Sequence, residues 1–205
     1  MNKEKRHINI DSAELRFADG DKRTLEGYAS VFNKPTDLGR FDEVIERGAF
    51  TRAVDEAHDV RALVDHDTGR VIGRTKNGTL ELREDDRGLF SRIHLPDTQE
   101  GRDLATLIER GDLDGMSFGF SVESDRWEKG EERATRFIED VNLFEVSVVA
   151  FPAYEDTEVA LRSMPDMDKL PDEEKAYGEM LERETESRKA RLKKLELELK
   201  LKSWQ

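Results

Sequence analysis

Ser117 sits between two glycines in Gly115-Met116-Ser117-Phe118-Gly119, a spacing that lets backbone approach closely on both sides of a hydroxyl. The run matches the G-x-S-x-G pattern of serine nucleophiles. In its α/β-hydrolase form that pattern needs a strand before the serine, a helix after it and a later histidine. This chain meets none of these conditions. All four histidines, His7, His58, His66 and His94, precede Ser117. A helical pattern ends at Gly111 before it, and Phe118, Phe120 and Val122 alternate like a strand after it. A nucleophilic Ser117 therefore belongs to another fold, and residue order argues against a lipase or esterase.

A serine nucleophile needs a base and a group that orients the base. His66, in Asp65-His66-Asp67 at the end of an apolar run, is the candidate base. His94 also ends a strand before Ser117 and is the alternative, although its alternation with Ile93 and Leu95 suits packing. The third candidate is Glu145, which places a carboxylate inside the apolar run Leu143-Phe144-Glu145-Val146-Ser147-Val148-Val149-Ala150-Phe151, on one face with Leu143 and Ser147. A carboxylate buried without a donor costs several kcal/mol, on the order of the penalty for an unpaired polar group. An imidazole to be oriented is such a donor. Each residue also has a structural reading: tight packing for Ser117, a solvated loop for His66, and an arginine pair for Glu145.

The elements that would carry them are mostly strands. Residues 5–32 hold short alternating runs around the turn Asp19-Gly20-Asp21, which predicts a β-hairpin. Phe50, Ala53, Val54 and Ala57 predict a short helix over 47–57, and residues 60–64 a strand leading into His66. Two or three strands follow between 70 and 95, with Asn77-Gly78 expected as a type I′ turn. Asp97 and Glu100 suggest a capping box opening a helix whose face is Leu104, Leu107 and Ile108, with Gly111 closing it. The pattern is that of a mostly β domain with a few helices (α+β), antiparallel and forming a closed or near-closed barrel.

Composition narrows the function. The 205 residues are 36% hydrophobic and 40% charged, enough for one core plus a solvated appendage. Pro165 and Pro171 bracket a polar linker, 164–171, which divides a domain over 1–163 from a helix-forming tail over 172–205. Tyr177, Leu181, Arg188, Leu192, Leu195 and Leu199 fall near one seam of that tail, which could serve docking or oligomerisation. The net charge is −13, and residues 166–205 hold 10 Lys/Arg against 11 Asp/Glu, so the acidic excess lies on the body. An acidic body disfavours nucleic acid and anionic membrane as partners. No cysteine is present, which rules out thiolate chemistry and Cys-based zinc sites. No H-E-x-x-H, Walker or dinucleotide motif occurs, so no metal or other cofactor is expected. No apolar run approaches the ~20 residues that span a bilayer, and no signal peptide opens the chain, so a soluble, unsecreted protein is expected.

Five motifs in order resemble the maturation proteases of tailed-phage proheads, serine peptidases related to the herpesvirus assemblins. They are Glu26-Gly27-Tyr28-Ala29-Ser30-Val31-Phe32, Glu46-Arg47-Gly48-Ala49-Phe50, Leu63-Val64-Asp65-His66-Asp67, the run from Gly111 to Phe120 around Ser117, and the run from Leu143 through Phe151-Pro152-Ala153-Tyr154. The resemblance implies a compact assemblin-like β-barrel with surrounding helices. It maps the base onto His66, the nucleophile onto Ser117 and the orienting group onto Glu145, where assemblins use a second histidine. Assemblins support their oxyanion with arginines. Here backbone N–H groups near Phe118, with Arg110 or Arg126, are the candidates. The resemblance further implies an endopeptidase enclosed in the immature capsid in the host cytoplasm. It would cleave scaffold and major capsid protein extensions, and itself, with a homodimer or higher oligomer left open. The alternative is a non-enzymatic capsid assembly or scaffold protein.

Overall fold

Alternating apolar residues produce strands over most of the described residues, 4–8, 13–130 and 133–150, of a computed structural model. The first half holds β1 (Glu4–Ile8), β2 (Arg16–Ala18), β3 (Asp21–Val31), β4 (Thr36–Asp37), β5 (Phe41–Ile45), helix α1 (Thr51–Asp55), β6 (Arg61–Val64) and β7 (Asp67–Arg74). A 3₁₀ turn at Thr75–Asn77 leads to β8 (Leu80–Glu84), β9 (Gly88–His94), helix α2 (Gln99–Arg110), β10 (Gly115–Lys129) and β11 (Ala134–Val149). The mostly β, few-helix expectation holds. The linker at 164–171, the tail at 172–205 and the Phe151-Pro152-Ala153-Tyr154 motif lie outside the described residues.

The strands form two sheets. One runs β1-β10-β11-β5-β4, with β6 pairing β11 and β7, and the other runs β2-β3-β9-β8. No pairing among the described residues joins the two sheets into one closed ring. The expected all-antiparallel arrangement is also revised: β11 runs antiparallel to β10, but parallel to β5 over Ala134–Ile138 and parallel to β6 over Glu145–Val148. Parallel neighbours need long crossovers, here containing α1 and α2, and local alternation carries no sign of them.

One face of the β6-β11-β10 strip is core. Ala62, Val64, Val146, Val148, Met116, Phe118 and Phe120 are all buried there. Phe118 stacks on Phe120 at 4.9 Å between ring centroids and meets Phe50 edge-on at 5.4 Å. Each such side chain contributes roughly 1.5–3 kcal/mol of burial. A register shift between Gly119 and Phe120 places Leu143 opposite Phe120, within the core. Leu143 therefore does not share a face with Glu145 as simple alternation predicts, because the bulge reverses the parity of β11 at that point.

Three local expectations change for identifiable reasons. Gly78 is left-handed (φ 73) but Asn77 is not, so a 3₁₀ turn replaces the type I′ turn, and the Asn77 side chain accepts from the Thr79 hydroxyl at 2.6 Å. Thr98, not Asp97, caps α2 by accepting from the Gly101 N–H at 3.2 Å. With the helix starting one residue later, Glu100 turns to Arg70 at 2.6 Å. The helix expected over 47–57 is limited to one turn, ending before Ala57, which takes φ 50. The loop before α1 is held by Glu84, whose carboxylate accepts from the N–H groups of Gly48 (2.6 Å) and Phe50 (3.1 Å) and from the Thr51 hydroxyl (3.2 Å). Gly48 takes φ 100, which accounts structurally for the glycine in Glu46-Arg47-Gly48-Ala49-Phe50.

Candidate active site

His66 is positioned by a two-residue hairpin. Val64 and Asp67 pair directly, leaving Asp65 (φ 48) and His66 (φ 58) as a two-residue loop with both central residues left-handed, as a type I′ turn requires. Gly, Asn and Asp are the usual occupants of such positions and His is also enriched there among non-glycine residues, each β-carbon adding strain that contacts must offset. The restraint comes from β11: the Asp65 N–H donates to the Val148 carbonyl at 3.0 Å, and the Asp65 carboxylate accepts from the Ala150 N–H at 3.3 Å. Parallel pairing of β6 with β11 thus delivers the imidazole onto the polar face of β11.

There His66 Nδ1 lies 2.6 Å from Glu145 Oε1, with the two side chains only 9% and 12% exposed. The Ser147 hydroxyl donates to the other carboxylate oxygen, Glu145 Oε2, at 2.6 Å and lies 3.4 Å from Nδ1. A carboxylate partner assigns the proton of the neutral ring to Nδ1, which makes Nε2 the basic nitrogen. The carboxylate therefore both fixes the tautomer and is placed to stabilise an imidazolium.

Sheet register adds the serine. Ser117 stands directly opposite Ser147, and Gly119 directly opposite Glu145. Opposed antiparallel residues point to the same face with Cβ atoms about 4.5–5.5 Å apart. The Ser117 hydroxyl is therefore on the face that carries Glu145, Ser147 and His66. Ser117 is fully buried. Hydroxyl, imidazole and carboxylate, the three group types of a serine relay, thus share one face of the sheet.

This register also explains the G-x-S-x-G run without a nucleophile elbow. Gly115, Ser117 and Gly119 are alternate residues of one strand, and the glycines clear space for side chains folding over from β11. A β-carbon on Gly119 would stand 3.1 Å from both Cγ and Cδ of Glu145 and closer still to Oε1, and one on Gly115 would stand 3.1 Å from the Val149 carbonyl oxygen. Gly119→Ala is expected to push the carboxylate off His66, lowering stability by about 1–3 kcal/mol in urea denaturation and slowing any reaction that uses the pair. Unchanged stability and activity would show that Glu145 has room to move.

The other candidates lie elsewhere. His94 sits in the second sheet, with Thr24 at Nδ1 (3.0 Å) and Glu81 at Nε2 (3.1 Å), so it is not a partner of Ser117. Arg126 is nine residues along β10, roughly 30 Å at ~3.3 Å per residue, where it pairs with Glu46 and Glu128 over the Phe137 ring. Arg110 is largely exposed and paired with Asp112. Neither is brought to the site by a contact among the described residues. The backbone at Phe118 lies between two ladders, opposite Arg6 of β1 and Val146 of β11. Ser147, read from the sequence only as sharing a face with Glu145, is the site residue that was given no role there. Its signal was its position two residues beyond Glu145, on the same face of an apolar strand. Among the described residues no group of three or more His, Asp or Glu side chains is arranged to hold a metal ion.

Comparison with known proteins places the chain in a family. A family model described as caudovirus prohead serine protease matches residues 8–170. The prohead protease of Enterobacteria phage HK97 is 32% identical over 173 residues, which cover 82% of this chain and 73% of that protein. The bacteriophage T4 capsid assembly protease has a similar fold, with a TM-score of 0.50 at 13% identity, covering 73% of this chain and 98% of that one. A face built from Ser117, His66 and Glu145, in a mostly β fold matched along most of its length, belongs to a chain that is a member of the caudovirus prohead serine protease family.

Proposed function

We propose that this protein is the endopeptidase of a maturing prohead, cleaving scaffold and capsid-protein extensions and also itself, with Ser117 as nucleophile, His66 as base and Glu145 as the orienting carboxylate. The observation that carries the residue roles is the 2.6 Å contact between His66 Nδ1 and Glu145 on the strand face that also bears Ser117. The names of the HK97 and T4 relatives support the substrate class.

In the proposed reaction His66 Nε2 takes the Ser117 proton as Oγ bonds to the scissile carbonyl carbon. The imidazolium then gives that proton to the departing amine as the C–N bond breaks. Water attacks the acyl-serine with His66 again as base, which releases the new carboxyl terminus and restores the hydroxyl. No proton is transferred to Glu145 in either step.

Labelling with a fluorophosphonate followed by peptide mapping tests the assignment, with an adduct expected on Ser117. Absence of an adduct, together with absence of cleavage of the capsid protein encoded beside it, would favour a non-enzymatic assembly role. Glu145→Gln is expected to lower kcat by about ten-thousand-fold with the fold retained. His66 Nδ1–H and the Ser147 O–H both require an acceptor, and an amide offers one oxygen where the carboxylate offers two. Near-normal turnover in this variant would remove Glu145 from the relay.

A further inference from the structure

We propose that Ser147 is a positioning residue of the relay, holding the Glu145 carboxylate in the orientation that keeps the His66 proton on Nδ1. The inference rests on the Ser117, His66 and Glu145 assignment above. Ser147 is completely buried, and its backbone is fixed from both sides, by Ser117 in the antiparallel ladder and by Leu63 in the parallel one. A hydroxyl held this firmly can fix whatever it binds.

It binds Glu145 Oε2 at 2.6 Å, a length suited to a hydroxyl donating to an ionised carboxylate. The carboxylate thus has one oxygen committed to Ser147 and the other to His66, at 2.6 Å each. Two points of attachment define its plane, where one would leave it free to rotate about the terminal bond. Rotation would draw Oε1 away from Nδ1 and loosen both the ring's direction and its tautomer. Ser147 itself is badly placed to be the nucleophile. Its proton goes to the carboxylate, and the imidazole nitrogen nearest to it, 3.4 Å away, is the Nδ1 already bonded to Glu145. The nitrogen able to accept a proton is the other one.

Steady-state cleavage of the capsid protein by Ser147→Ala in the full chain tests the proposal. The expected result is a kcat about 10–100-fold below wild type, the range for losing a hydrogen bond to a charged group, with KM within about two-fold. Ser147→Cys keeps the volume while losing the strong donor, and should fall equally even if the alanine variant folds poorly. The decisive readout is non-additivity. In a Glu145→Gln background, Ser147→Ala should cost nothing further, because its effect travels through that carboxylate. Unchanged kcat, or losses that multiply in the double variant, would overturn the positioning role. A fluorophosphonate adduct on Ser147, or full cleavage by Ser117→Ala, would instead overturn the underlying assignment.

Discussion

Ser117→Ala is expected to abolish peptide-bond cleavage, lowering turnover by about a million-fold while leaving the fold unchanged. The size follows from the unity of the relay: once the attacking oxygen is gone, a base and carboxylate placed to activate it have nothing to activate. The fold should survive because the lost hydroxyl lies on the polar face of β10, away from Met116, Phe118 and Phe120, and alanine fits the same closely paired position opposite Ser147. Intact-mass analysis of wild type and variant, incubated alone and with the capsid protein, measures it. Truncated species only in the wild type would also locate the cleavage sites, and equal cleavage by both proteins would refute Ser117 as nucleophile.

His66→Ala and His66→Gly are expected to lose activity to the same extent, again about a million-fold, yet to differ in stability. Both remove the imidazole and leave Glu145 with Ser147 as partner, so those losses are common. They differ in one β-carbon at a backbone position with φ 58. Left-handed backbone costs a residue with a β-carbon about 1–2 kcal/mol, and glycine escapes that cost. The glycine variant should therefore be the more stable of the pair by on the order of 1 kcal/mol, after its greater freedom in the unfolded chain is subtracted. Matched urea melts measure the difference. Equal stability would indicate that the hairpin relaxes once the ring is absent, with the left-handed geometry imposed by the ring's contacts rather than by the loop.

Several parts of this arrangement were legible before the fold. Ser117, His66 and Glu145 could be read from residue type, order and the cost of a carboxylate within an apolar strand, and the structure places all three on one sheet face. Helix α2 was legible because its apolar spacing and its left-handed Gly111 are local features. What escaped reading was non-local. Alternation tells which side of a strand is buried but not which strand lies beside it, so the parallel partners of β11 were hidden. The bulge that sends Leu143 into the core is a property of the pairing between two strands, and neither sequence states it alone. Ser147 was seen to share a face with Glu145 but was given no role, because a serine in an apolar strand satisfies packing as well as chemistry. Only its distance to Glu145 separates the two roles.

The dual service of β11 has a consequence for the timing of activity. This strand supplies Glu145, and through its parallel pairing with β6 it also holds the hairpin that presents His66. During synthesis the ribosome releases His66 and Ser117 well before it releases β11. Until that strand emerges and docks, His66 lacks its carboxylate partner and Ser117 lacks Ser147 opposite it, with only β1 able to pair on its other side. The face that joins His66, Glu145 and Ser117 therefore forms only after synthesis has passed β11. On the proposed function, that order of emergence keeps the relay unassembled while the chain is still being made.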